Sequence, residues 1–383
     1  MKLTSKKVIS TIAVSAMMLG IAGASALAGT EYGGTAYVAG MGGHFAKATF
    51  KIDPAAETPI TIEQLDKVDI GTGDTHPTHD ARIDSQDRDT LYWSTYKPDH
   101  GANDVYHYGK SNLKTGKVIK DATMKIPDKV LNTKAGYCAS AQTRDYFMPI
   151  SMNKPGYISV ISKKDMQVKH NVFFEGTEAD IKTGYKFIHG TNSPDMKEIL
   201  ITLNESNVGQ DNKDLGDTVG KLHLIVLDAA ALEQGQVKVL RQGTVDVNQK
   251  SSISFRQYYS PDGKYIANAT GDMLIILDAK TLTPLDKETM PNLEENHDAI
   301  FTPDGKYVIA TSRTKSILPG CADPQKPADG EWRMDGQLKL YDVAAKKFIG
   351  NPTSTCLKCH DSELGTGPDA PHAVLCGIDV NWK

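Results

Sequence analysis

The sequence predicts an all-β fold, a β-propeller of six or seven four-stranded blades, and three observations predict it. A Ser/Thr-Pro-Asp-Gly-Lys turn recurs in matching surroundings at Phe255–Ala267 and His297–Ala310, with a third copy at Ser193–Ile201. Each repeat unit spans roughly 40 to 60 residues and divides into four short strands bounded by turn residues, the signature of propeller blades. The two chain ends also complement one another. Thr35–Gly40 and Ala48–Asp53 read as second and third strands lacking a first, and His372–Asp379 supplies it. Pairing the ends in one blade closes the ring and removes exposed sheet edges. A β-sandwich would not explain why the same turn returns.

Five complete units begin near residues 79, 137, 189, 255 and 297. The weaker copies are His79–Asp84 followed by Thr90–Thr95, and Tyr137–Ala141 followed by Asp145–Ile150. Later strands end in Asp or Ser, as in Leu274–Asp278, Leu338–Asp342 and Tyr157–Ser162. With the shared end blade the count is six; one divergent unit would make it seven.

Ahead of the propeller, Lys2, Lys6 and Lys7 precede an apolar run, Val8–Ala22, and small residues ending in Ala26, Leu27 and Ala28. A positive start, a short apolar core and an A-x-A site predict a secretory signal peptide over 1–28. The apolar run is shorter than the ~20 residues of a spanning helix. The expected mature protein is therefore soluble, without a membrane span, a single propeller domain over 29–383 in the periplasm or an equivalent extracytoplasmic compartment. Cleavage takes three lysines and no acids, so 43 basic and 47 acidic residues become 40 and 47, a net charge of −7. That balance disfavours nucleic acid and anionic lipid as partners.

The residues with the most specific chemistry are Cys356, Leu357, Lys358, Cys359 and His360. In an exported chain this CxxCH run reads as a covalent c-type haem site: two thiols three residues apart each add to a haem vinyl group, and the adjacent imidazole reaches the iron. A zinc half-site or a surface disulfide is the competing reading. One covalent haem c is expected, with Cys356 and Cys359 as anchors, His360 as the proximal iron ligand, and the attachment segment 351–372 inserted before the closing strand. His372 is the first candidate for a second axial ligand, followed by His297, Met334 and Met41. Cover for the porphyrin is expected from the insertion Thr314–Met334. A disulfide between Cys321 and Cys376 would pin that insertion, and Cys138 leaves the set odd.

In a propeller the connections from outer to next inner strand, and from second to third strand, emerge on one face. That places His44, His76, His79, His100, His189, His297, His360 and His372 together. His79, His189 and His297 start inner strands and should rim the axial funnel, where they are the catalytic candidates and where a further metal or haem would sit. Arg82 and Arg256, near inner-strand positions, suit either an anionic substrate or bonds between blades. Asp262 and Asp304 belong to turns for backbone reasons, and Asn204–Asp217 reads as a solvated loop.

The repeats together with CxxCH resemble the YVTN-type propellers of exported redox proteins. That superfamily includes the propellers of haem-containing dissimilatory nitrite reductases, the large subunits of amine dehydrogenases and the propeller subunit of hydrazine synthase. The resemblance implies electron transfer or oxidoreductase chemistry on a small inorganic nitrogen or amine-type substrate, with other cytochromes or a multisubunit complex as partners. Two alternatives stay open: a noncatalytic subunit that docks multihaem partners and guides an intermediate, and a haem-cofactor binding or maturation protein. One departure is that the nitrite reductases carry a separate cytochrome domain ahead of the propeller, whereas here CxxCH sits just before the closing strand.

Overall fold

The computed structural model describes residues 31–39, 42–131, 135–181, 183–291, 294–313, 336–355 and 376–383. The expected signal peptide 1–28, the insertion Thr314–Met334 and residues 356–372 of the expected haem segment 351–372, with Met41, Cys321, Cys356, Cys359, His360 and His372, lie outside the described residues; residues 351–355 end a strand of the sixth blade.

The chain enters at β1 (Tyr32–Ala39), β2 (His44–Ile52) and β3 (Ile60–Asp69). The second blade is β4 (Arg82–Ile83), β5 (Thr90–Ser94), β6 (Val105–Asn112) and β7 (Lys117–Lys125). The third is β8 (Tyr137–Gln142), β9 (Tyr146–Ser151), β10 (Tyr157–Ser162) and β11 (Val168–Phe173). The fourth is β12 (Tyr185–Asn192), β13 (Glu198–Ser206), β14 (Thr218–Asp228) and β15 (Val239–Asp246). The fifth is β16 (Ser254–Tyr259), β17 (Tyr265–Thr270), β18 (Met273–Asp278) and β19 (Pro284–Thr289). The sixth is β20 (Glu295–Phe301), β21 (Tyr307–Arg313), β22 (Gly336–Asp342) and β23 (Lys347–Thr355). Finally β24 (Cys376–Trp382) returns to pair with β1, giving the order β24-β1-β2-β3 in the first blade. The blade number is six, the lower of the two expected.

Burial follows strand position. The inner strand β8 is buried at every residue, whereas the outermost β15 alternates between exposed and half-buried. Outer strands also carry lysines, such as Lys117, Lys120 and Lys125 on β7, which discourage edge-to-edge pairing. Six apolar clusters fill the six interfaces between neighbouring blades, for example Phe50 and Ile378 against Ile309 and Leu340, and Leu224 against Leu277. A blade has no core of its own, and its faces are buried only by its neighbours.

The repeated turn has a local cause. In the fifth blade the Ser260 hydroxyl donates to Asp262 Oδ1 (2.7 Å) and accepts from the Tyr265 amide (2.9 Å), and Gly263 takes φ +71°. Thr302, Asp304 and Tyr307 repeat it in the sixth blade, and Ser193, Asp195 and Glu198 in the fourth. The Asp262 and Asp304 carboxylates thus serve their turns, as expected. The Asn204–Asp217 stretch is largely exposed toward its end.

Ring closure depends on one glycine. Gly377 has φ +58°, and a Cβ there would stand 2.2 Å from the His79 carbonyl oxygen and 2.7 Å from Arg256 Nη2. Its amide donates to Asp298 Oδ2 at 3.2 Å. Gly377→Ala should therefore lower stability by about 1–3 kcal/mol, the cost of a strained left-handed residue against fixed backbone. Chemical denaturation checks this; an unchanged midpoint would mean that the closing strand is not held there.

Candidate functional site

The residues at the axial mouth owe their aim to a defect repeated around the ring. Register shifts interrupt the pairing of each inner strand longer than two residues: between Tyr137 and Ala139 on β8, Tyr185 and Ile188 on β12, Ser254 and Gln257 on β16, and Asn296 and Asp298 on β20. On β24 the shift skips Gly377, between the partners of Val38 and Ala39. A bulge gives two strand residues to one partner and re-aims a side chain. Here it lets Phe255 and Arg256, or His297 and Asp298, point inward in succession.

Beneath the mouth, a charged plug fills the channel. Arg256 of the fifth blade reaches Asp80 in the second, diametrically across the ring (Nη1 to Oδ1, 2.6 Å), and donates to the Cys138 carbonyl of the third. Its Nε lies 3.5 Å from Asp298 Oδ1 of the sixth. Burial works against this guanidinium, but Asp80 and Asp298 outweigh it and keep it charged. Asp298 also accepts from the Gly377 and Ile378 amides, each at 3.2 Å. Nearby, Arg82 donates to the Ser140 carbonyl at 2.6 Å and lies 5.4 Å from the Tyr258 ring centroid, while the Tyr258 hydroxyl donates to the Ile378 carbonyl. Both arginines therefore join blades; of their two expected roles, the structure shows this one.

The mouth itself is lined by rings. His189, Phe255 and His297 form a row, with centroids 5.9 Å apart for the first pair and 4.5 Å, nearly parallel, for the second. Beside the row, His79 stacks on Tyr96 at 3.9 Å and its Nδ1 lies 3.4 Å from the Cys138 thiol. Cys138 is buried. His297 Nδ1 bonds Asp298 Oδ2 at 2.8 Å. Of the three funnel histidines expected from sequence, His189 and His297 share this row, and His79 lies against Tyr96 and Cys138. The others divide: His44 is buried at the start of β2, His100 is exposed beside Asp104, and His76 joins a separate cluster.

His189 differs from its neighbours. It is 1% exposed, and neither ring nitrogen has a hydrogen-bond partner of good geometry. Burial, then Arg256 and then His297 push its pKa well below the ordinary value, opposed by Asp298 and then the Ser254 backbone. The ring is neutral at physiological pH, with one nitrogen able to accept a hydrogen bond and the other carrying a proton. Linkage gives the sign: the unfolded chain takes up a proton below about pH 6.5 and the folded one does not, so stability falls as pH falls through that value. His189→Leu should remove up to about 1.4 kcal/mol of that loss per pH unit. It should keep or raise stability at pH 7, because it removes two unsatisfied nitrogens. Urea midpoints between pH 5 and 7.5 check this; parallel slopes for both proteins would refute it.

The mouth adjoins the points where residues 356–375 leave the sixth blade and return to the ring. Glu295, Arg313, Gly336 and Thr355 pair across the sixth blade in one row. The segments 314–335 and 356–375 therefore both depart from that end of the blade. Segment 356–375 rejoins at β24, whose Gly377 touches His79, Arg256 and Asp298. Within the row Phe255 is half-buried, and His189 and His297 are each 1% exposed. Among the described residues no helix is long and apolar enough to cross a membrane.

No protein-family profile matches the chain, and no curated protein is similar enough to it to count as a relative.

Sequence reading missed Asp80, Asp298 and Cys138 as parts of this site. Asp298 had one available signal, its position directly after His297 in a repeat where the fifth blade has Arg256.

Proposed function

We propose that this protein is an exported, haem-bearing propeller of redox metabolism, carrying electrons or oxidising or reducing a small nitrogen or amine-type substrate at the axial mouth. The observation that carries the reading is that the CxxCH segment returns to the chain beside a ring of bulged inner-strand residues that holds a neutral, unpartnered imidazole. The substrate class rests on the YVTN-type resemblance alone, as does the expectation of cytochrome or multisubunit redox partners in a periplasmic compartment.

A covalently held haem c supplies one-electron transfer at a potential set by its axial ligands. The chain's own residues would do the rest. Cys356 and Cys359 would anchor it and His360 would ligate the iron, with His372 or His297 as candidates for the opposite position. Phe255 and Tyr96 offer apolar ring faces. His189 can accept a hydrogen bond, and Arg256, held by Asp80 and Asp298, closes the channel beneath.

The test is the intact mass and visible spectrum of the mature protein made with a haem-ligation system. One haem's mass above the polypeptide and a Soret band are expected. A Soret band shifted by nitrite, nitric oxide or hydroxylamine supports chemistry at the iron, and an unresponsive one supports relay. A colourless protein of polypeptide mass overturns the reading.

A further inference from the structure

A second cluster lies away from the axis, on the second blade, and owes nothing to the haem reading. His107 on β6 pairs with Thr123 of β7, so Asp121, two residues from Thr123, stands on the same sheet face, diagonally opposite. The β3–β4 connection brings His76 over both. His107 Nδ1 lies 3.0 Å from Asp121 Oδ1, and His76 Nε2 lies 3.2 Å from Oδ2. The two imidazole centroids are 4.2 Å apart, and all three donor atoms fall within 4.8 Å of one another.

Donors of a tetrahedral zinc ion with bonds near 2.0–2.1 Å stand about 3.3 Å apart. The two nitrogen-to-carboxylate separations are already close to that, and the third lies within 4.8 Å. The far side of each ring is also held as ligand histidines are held: His76 Nδ1 is 2.7 Å from Thr75 Oγ1, and His107 Nε2 is 3.3 Å from Asp99 Oδ2. Gly71 clears the space, since a Cβ there would be 2.1 Å from His76 Nδ1. His76 and His107 are 9% and 12% exposed at the side chain and Asp121 is 37%, so an ion reaches the site from the Asp121 side and water has room as a fourth ligand.

We infer that His76, His107 and Asp121 form a binding site for a divalent transition ion of zinc type, with Asp99 and Thr75 positioning the two rings. Two nitrogens and a carboxylate are a borderline donor set that suits Zn²⁺, and an open fourth position is the pattern of reactive rather than purely structural zinc. His107 faces a carboxylate from each ring nitrogen, Asp121 at Nδ1 and Asp99 at Nε2. Ligation replaces the Nδ1 proton and leaves the Nε2–H on Asp99. The ion would also fix the loop that continues, three residues after His76, into His79 at the axial mouth.

The experiment is zinc titration calorimetry, with elemental analysis, on the untagged, chelator-treated full chain. One equivalent of Zn²⁺ per chain is expected, counted separately from haem iron. His107→Gln and His76→Gln should each weaken it at least 100-fold, Asp99→Asn 10–100-fold, and His100→Gln, at an exposed ring, not at all. Should His107→Gln fold poorly by circular dichroism, the loop variant His76→Gln decides. No bound zinc overturns the inference, as does zinc that persists in His76→Gln. Zinc captured by an unhaemylated Cys356/Cys359 pair would persist in that variant, so failure here and failure of the haem reading are told apart.

Discussion

Arg256→Met is expected to cost about 3–5 kcal/mol of folding stability, the penalty for breaking a buried ion pair from one side. Arg256, Asp80 and Asp298 are each 2% exposed or less, and Asp80 Oδ2 has no hydrogen-bond partner even in the native arrangement. Removing the cation leaves two buried carboxylates without the partner they share. Arg256→Lys should recover only part of the loss, because a point ammonium cannot reach Asp80, the Cys138 carbonyl and Asp298 from one planar fork. Adding Asp80→Asn to Arg256→Met should restore some stability, with a coupling of about 1–3 kcal/mol in the double-mutant cycle. Guanidinium denaturation followed by circular dichroism measures wild type, the Arg256 variants, the double variant and the Asp80→Asn single variant that completes the cycle. A loss below about 1 kcal/mol for Arg256→Met would show that water solvates Asp80 and that the plug is open.

The position of that plug explains what was readable in the sequence and what was not. The turns were legible because Ser260, Asp262 and Gly263 act within five residues of chain, so local chemistry writes them into the sequence each time they recur. The closing strand was legible because Thr35–Gly40 lacked a partner, and its observed pairing, Thr35 with Asn381, supplies one. His79, His189 and His297 were legible as mouth residues because strand starts in a propeller share one end. The bulges were not. Nothing in Phe255, Arg256 and Gln257 announces that two successive side chains face the axis, since strict alternation would put one of them on the other face. Arg256 reaching Asp80 depends on the six-fold count, which sets which blade lies opposite. His107 with Asp121 was hidden for a similar reason: their shared face follows from the β6–β7 register, and both lie on outer strands, away from the axis.

The double variant Cys356→Ser/Cys359→Ser should abolish covalent haem while leaving the propeller folded. Each thiol adds its S–H across a vinyl double bond, hydrogen to one carbon and sulfur to the other, and a serine hydroxyl does not form that thioether. The intact mass should drop by one haem beyond the two substitutions, and the visible bands should vanish. The fold should persist because ring closure is made by β24 on β1, beyond the attachment segment, and by apolar clusters in every blade interface. The far-ultraviolet circular dichroism should therefore keep its β signature, with any loss of midpoint reflecting only apolar area uncovered at the mouth, about 25 cal/mol per Å². His360→Ala separates anchoring from ligation: the thioethers remain and the mass is unchanged, but the iron loses its proximal imidazole and the Soret band moves. If the double variant keeps its haem mass, the anchor is elsewhere in the chain. If wild type and variant are equally colourless, the axial mouth serves some ligand other than a CxxCH haem, and the neutral ring of His189 becomes the place to look for it.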